Sequence, residues 1–77
     1  MSQKLLTFEY DSAGEVVTLH LNREGLEYLI GVLVRMRDLA APDHVHLMTA
    51  DWGGEELTDQ KQASGSVLIH HVKLCKW

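Results

Sequence analysis

Hydrophobic residues change their spacing along this chain, and the order of those changes is what most constrains its fold. Two segments, 5–10 and 15–21, alternate apolar and polar residues as β-strands do. The stretch from 23 to 40 then repeats apolar residues every three or four positions, which is typical of an amphipathic helix. Two further strand-like segments, 43–49 and 67–75, follow. This ββαββ order predicts an α+β fold, with one long helix packed on one face of a four-stranded, mostly antiparallel sheet.

The boundaries of the helix carry their own signals. Asn22 stands where an N-cap belongs, Glu24 lies in the first turn, and Pro42 stops the helix from continuing. A right-handed crossover through this helix would place the third strand beside the first, which predicts the strand order 2-1-3-4. At 77 residues we expect a single α+β domain spanning 1–77.

The strand and helix patterns also predict a core. In the last strand, Leu68, His70, Val72 and Leu74 form the expected inward set. A close approach of another element would explain Gly31 in the middle of the helix. The core residues expected from the patterns are Phe8, Val17, Leu19, Leu26, Leu29, Ile30, Leu33, Val45, Leu47 and Val72.

A second apolar stripe adjoins the first on the helix. It contains Tyr28, Val32, Met36 and Leu39, so the helix has more apolar surface than one sheet requires. Two interpretations stay open. Either a wide sheet and its loops cover both stripes, or Tyr28, Val32 and Leu39 form a contact with a partner or with a second copy in a homodimer.

Charge and cysteine content limit the function classes. Eleven acidic and seven basic residues give a net charge of −4, which argues against a nucleic-acid binder and favours a partner with a basic surface. The single cysteine, Cys75, excludes an intrachain disulfide, and no signal-like segment precedes the first strand. The longest mainly apolar run, 28–34, is too short to span a bilayer. We therefore expect a cytoplasmic protein.

Histidines are concentrated on one predicted surface of the sheet. His44 and His46 are two residues apart and share a strand face, and the same alternation places His20 and His71 on that outer face, together with Glu9. Imidazoles in this arrangement could hold zinc, or they could contact a protein partner, since they combine flat apolar area with hydrogen-bonding groups. The partner contact is the favoured interpretation, and no cofactor is expected.

The segment Trp52-Gly53-Gly54-Glu55-Glu56 is the most distinctive in the chain. Adjacent glycines allow backbone conformations that other residues resist, and a tryptophan beside them either fills the thin core or anchors an interface. Asp51 and Asp59 extend the acidic character of this loop. We predict that partner binding uses His44, His46, Trp52, Gly53, Gly54, Glu55, Glu56 and His71.

Signals for catalysis are weak. The serines lack a nucleophile-elbow context, and Gly53-Gly54 is not followed by the Lys-Ser or Lys-Thr of a phosphate-binding loop. No evident pocket accompanies the histidines on an outer sheet face. We therefore expect no enzymatic activity.

Three motifs together resemble a known family. The runs are Asp43-His44-Val45-His46-Leu47-Met48-Thr49, Trp52-Gly53-Gly54-Glu55-Glu56-Leu57 and His70-His71-Val72-Lys73-Leu74. Their combination is similar to the small immunity proteins of bacterial polymorphic toxin systems classed as immunity family thirty-two. The resemblance implies a cytoplasmic α+β protein that neutralises a cognate toxin by binding it. The alternative is a small homodimeric module that binds a metal or another ligand through its outer histidines.

Overall fold

The computed structural model describes residues 3–77. Its elements follow the predicted order, with the C-terminal strand divided in two and a short 3-10 helix after the third strand. They are β1 (Leu6–Asp11), β2 (Val16–Leu21), α1 (Arg23–Arg37), β3 (Asp43–Met48), the 3-10 helix Ala50–Trp52, β4 (Val67–Ile69) and β5 (His71–Lys76).

The strands form two antiparallel sheets and not the single four-stranded sheet predicted. One sheet has the order β2-β1-β4, and the other pairs β3 with β5. The C-terminal segment therefore joins the two sheets, because its first part pairs with β1 and its second part with β3. The predicted order 2-1-3-4 is wrong for this reason: the last strand, and not the third, lies beside the first.

A break at His70 shifts the alternation of the C-terminal segment by one residue. Ile69 lies opposite Phe8 in the first sheet, and Val72 lies opposite Leu47 in the second. Phe8 and Leu47 both belong to the core, so Ile69 and Val72 point to the same side although two residues separate them. The predicted inward position of Leu68 is therefore wrong, because Leu68 lies opposite Glu9 on the other face.

The core lies between the helix and the facing sides of both sheets. It is smaller than predicted, and Val17, Leu19, Leu26, Ile30 and Leu33 are exposed rather than buried. Phe8 and Leu47 are buried as expected, with Leu29, Val45 and Val72 packed against them. The buried cluster consists of Leu6, Phe8, Val32, Met36, Leu47 and Leu57.

The rotation of the helix explains the errors within α1. A Cβ on Gly25 would overlap the carbonyl oxygen of Leu5, so only glycine lets the first turn lie this close to the chain that enters β1. Val32 and Met36 lie seven and eleven positions further along, on the same helical stripe as Gly25, and this stripe faces the sheets. Gly31 was expected at a close approach, but a Cβ there would meet only the side chain of Arg35.

The ends of α1 are tied to the strands around it. The Asn22 side chain caps the first turn as predicted, and its Oδ1 accepts hydrogen bonds from the N–H groups of Gly25 and Leu5, both at 2.9 Å. At the other end, the ammonium of Lys76 in β5 donates to the carbonyls of Arg37 and Leu39 at 2.6 and 2.5 Å. These contacts fix the helix against the first and last strands. Within residues 3–77 no helix is long and apolar enough to cross a membrane.

Candidate functional site

Four rings on the outer side of the β3–β5 sheet contact one another and define what we call the ring cluster. His44 and His46 come from β3, His71 from β5, and Trp52 from the 3-10 helix. The register pairs His46 with Lys73 and Met48 with His71, which places His46 and His71 on a diagonal of one sheet face. The structure thus brings together three of the four histidines selected from the sequence.

The geometry of the ring cluster is close. Nδ1 of His46 lies 2.7 Å from Nε2 of His71, which is a hydrogen bond whose direction depends on the tautomers. His44 meets His46 edge to face with ring centroids 4.9 Å apart, and the ring centroids of Trp52 and His71 are 5.5 Å apart. The His46 and His71 imidazoles hydrogen-bond to each other, and both lie on paired strands whose backbone is fixed. The ring cluster is therefore an aromatic surface that is already formed in the free protein.

His46 is the member of the cluster whose titration is altered. Loss of hydration lowers its pKa, and repulsion from His71, His44 and Lys73 lowers the pKa further. A lowered pKa keeps this imidazole neutral near pH 7. A neutral imidazole matches the hydrogen bond to His71, which requires an acceptor nitrogen on one of the two rings.

Trp52 is presented by a tight turn that uses both glycines. Its side chain is 58% exposed, so it does not fill the core. Gly53 has a positive φ of 86° and donates its N–H to the Ala50 carbonyl, which ends the 3-10 helix. At Gly54, a Cβ would lie 2.6 Å from the carbonyl oxygen of Met48, so the close return of the loop to β3 excludes a side chain there. The glycines therefore shape the turn.

Carboxylates of the same loop have different roles. Oε1 of Glu56 accepts a hydrogen bond from the N–H of Met48 at 3.0 Å, so this side chain holds the loop against the end of β3. Asp51 and Glu55 are exposed beside the turn. Of the acidic residues predicted to contact a partner, Glu55 is therefore available at the surface, whereas Glu56 is half-buried and already has a structural contact.

His20 lies away from the ring cluster. Its Nε2 is 3.8 Å from Oε1 of Glu9, and β1 and the C-terminal segment separate β2 from β3. Three strand spacings amount to roughly 14 Å, which is too far for His20 to share a metal ion with His46. In the described part of the chain, no group of three or more His, Cys, Asp or Glu side chains could hold a metal ion.

Glu9 has a role that the sequence pattern did not reveal. It is 1% exposed, because residues 58–66 fold over the outer face of β1. The N–H groups of Gln62 and Ala63 donate to its carboxylate at 2.8 and 3.0 Å, and the hydroxyls of Ser66 and Thr7 donate at 2.7 and 2.8 Å. The alternation of β1 places Glu9 on the outer face, where an exposed carboxylate is ordinary, so the pattern carries no signal of its burial.

These hydrogen bonds determine the charge of Glu9. Burial alone would raise its pKa, but the hydrogen bonds from Gln62, Ser66, Thr7 and Ala63 stabilise the anion more strongly and lower the pKa to about 2. Glu9 is therefore ionised across the neutral range. We interpret it as the anchor of the 58–66 loop.

The predicted dimer stripe lines a cleft between α1 and β3. Tyr28, Val32 and Leu39 border this cleft of about 360 Å³, which His46 and Glu56 also line. Val32 is a core residue at 4% exposure, so it has almost no surface to offer to a second chain. Leu39 is the exposed member of the three, and a partner or dimer contact at this stripe stays a prediction.

A family model matches most of the chain. The model for Immunity protein 32 matches residues 16–72, from the start of β2 into β5. The chain belongs to the Immunity protein 32 family. No curated protein and no solved structure is significantly similar to it.

The matched region of this Immunity protein 32 member contains the whole ring cluster. β2, α1, β3, the Trp52 turn and the first residues of β5 all lie within residues 16–72, whereas β1 and its Glu9 lie outside. The resemblance based on the His44, Trp52 and His70 motifs is thereby confirmed at the level of the family. Membership in an immunity family indicates an immunity function.

Proposed function

We propose that this chain is a cytoplasmic, non-enzymatic immunity protein that neutralises a cognate bacterial toxin by binding it through the ring cluster. Family membership supports the immunity function. The observation that carries the choice of surface is the contact of exposed Trp52 with His71, next to the hydrogen bond between His71 and His46. Large rings held in fixed positions are the side chains that most often dominate binding energy at protein interfaces.

Charge supports a basic partner surface. The chain carries a net charge of −4, and Asp51 and Glu55 are exposed beside Trp52. Acidic groups around an aromatic centre would attract a basic toxin surface during diffusional encounter and leave the rings to be desolvated in the complex. Lys73, opposite His46, is the basic residue of this face. It would lie at the rim of the proposed contact.

The test is a binding measurement with the product of the gene adjacent to this one, the position expected for a cognate toxin. Trp52→Ala should weaken the complex at least about tenfold, the scale of a residue central to an interface. The double variant His44→Ala/His46→Ala should also weaken it without unfolding the protein. His20→Ala is the matched control, because it makes the same change on β2 beside Glu9 and should leave the affinity unchanged.

Two outcomes would count against the proposal in different ways. If the wild-type chain does not bind the toxin or protect cells from it, the immunity function fails. If the wild type binds and the Trp52 and histidine variants bind equally well, the function stands and the ring cluster is not the contact surface. Circular dichroism and thermal unfolding of each variant establish that the fold is retained.

A further inference from the structure

A second exposed surface lies on the other flank of the helix, which we call the β2–helix face. Its aliphatic side chains are between 36% and 50% exposed and together present several hundred Å² of apolar surface. Patches of that size on a small chain mark contact sites. The residues are Val17, Leu19, Leu21, Leu26, Ile30 and Leu33.

Register and helical spacing place these side chains on one surface. Leu19 lies opposite Phe8 and Leu21 opposite Leu6, and since Phe8 and Leu6 pack in the core, β2 presents its leucines on the helix side. Positions 26, 30 and 33 form one helical stripe, roughly 100–160° around the helix from Val32 on the buried stripe. The opposite flank of the helix lines the cleft with β3, so this stripe is on the side of β2.

The outer edge of β2 is open beside this face. In the described part of the chain no strand pairs with β2 on the side away from β1. The strand Val16–Leu21 contains no proline and no Lys, Arg, Asp or Glu, the residues by which exposed strand edges usually avoid pairing. An open, uncharged edge next to an apolar face is suited to addition of another strand.

We propose that two copies of this chain associate through antiparallel pairing of β2 with β2 of the second copy, which packs their β2–helix faces together. An antiparallel pair of identical strands is related by a two-fold axis, so each copy offers the same surface to the other. Since neither strand carries Lys, Arg, Asp or Glu, self-pairing brings no such like charges into opposition.

The charges at the two ends of β2 suit an antiparallel second copy. Glu15 precedes the strand and Arg23 follows it, and both are exposed, so pairing of β2 with β2 of a second copy brings Glu15 of each copy near Arg23 of the other. The small core gives a further reason, because a chain of this size that buries six large apolar residues gains stability by associating.

The experiment is sedimentation of the full chain and of two matched variants. The wild type should sediment at twice the chain mass of 8.7 kDa. Leu33→Glu should shift the mass to that of a monomer, because a carboxylate cannot be desolvated in the apolar contact. Leu39→Glu, the same change on the cleft side of the helix, separates the two possible dimer surfaces: it should leave the dimer intact, and loss of the dimer in this variant but not in Leu33→Glu would overturn the proposal and assign the contact to the stripe of Tyr28, Val32 and Leu39. Circular dichroism of both variants checks that the helix is retained.

Amide hydrogen exchange tests the strand pairing itself. In the dimer, the alternate amides of β2 that point away from β1 should become protected, and in Leu33→Glu they should exchange freely. A wild type that stays monomeric at millimolar concentration would overturn the proposal, as would a dimer whose outward β2 amides exchange at the unprotected rate. A monomeric wild type whose toxin affinity falls in Leu33→Glu would assign the face to the toxin. The proposal does not depend on the ring cluster binding a toxin.

Discussion

Nδ1 of His46 and Nε2 of His71 share a hydrogen bond of 2.7 Å across the β3–β5 sheet. The bond requires that one of the facing nitrogens carry a proton and the other offer a lone pair. Full protonation of both rings would place two N–H groups and two positive charges against each other. The ring cluster is therefore arranged for the neutral state of His46.

The first prediction concerns the titration of His46. NMR titration of the imidazole nitrogens should give His46 a pKa below that of a free histidine, since loss of hydration and the charges of His71, His44 and Lys73 all disfavour its cation. His71→Ala should raise the His46 pKa by removing the nearest competing ring. A His46 pKa at or above the ordinary value in the wild type would contradict this description of the cluster.

The second prediction concerns acid stability through Glu9. Its folded-state pKa of about 2 lies below the unfolded value near 4.3, so its contribution is fully present above the unfolded pKa and is lost as the pH falls towards 2. The contribution is on the order of 3 kcal/mol. Urea unfolding from pH 6 to pH 2 measures it.

Glu9→Gln separates this contribution from general acid effects. The variant keeps the shape of the side chain but directs an amide donor at groups that are themselves donors, which should cost about 2–3 kcal/mol at pH 6. It should also flatten the pH dependence between 4 and 2. If the variant and the wild type lose stability equally over that range, Glu9 is not the residue that titrates.

The third prediction uses the two glycines of α1 as a matched pair. Gly25→Ala should destabilise the fold by about 3 kcal/mol, because its Cβ would overlap the backbone carbonyl of Leu5. Gly31→Ala should stabilise the fold by about 0.5–1 kcal/mol, since alanine favours the helix and its Cβ meets only the Arg35 side chain. Denaturant midpoints of the two variants should therefore move in opposite directions.

The fourth prediction tests which stripe of the helix faces the core. Met36→Ala should cost about 2–5 kcal/mol, because it removes a buried side chain. Leu33→Ala, at a position that is half exposed, should cost below about 1 kcal/mol when measured at low protein concentration. Equal costs at the two positions would mean that the helix is rotated from the orientation described.

The elements themselves could be predicted from local pattern. The β1–β2 hairpin, the Asn22 cap and the shared face of His44 and His46 follow from period-2 alternation and capping chemistry within a few residues. The helix ends at Arg37, three residues before the end of the predicted stretch 23–40, because Pro42 marks where a helix cannot continue and not where it stops.

Features that depend on distant contacts could not be predicted in this way. Both stripes of the helix are apolar, and the choice between them rests on the approach of Gly25 to Leu5, twenty residues away in the chain. The segment Val67–Ile69 is apolar on both faces, so alternation did not reveal the break at His70. Burial of Glu9 depends on residues 58–66, whose path has no periodic signal.

The C-terminal segment 67–76 has a consequence for how the protein folds during synthesis. It pairs with β1 at one end and with β3 at the other, so both sheets lack a strand until these residues leave the ribosome. The Lys76 contacts that tie β5 to the end of α1 form later still. Much of the long-range pairing is thus postponed until residues 67–76 have emerged, and a nascent chain that stops in the 58–66 loop would leave β1 and β3 each with an open edge that β4 and β5 later occupy.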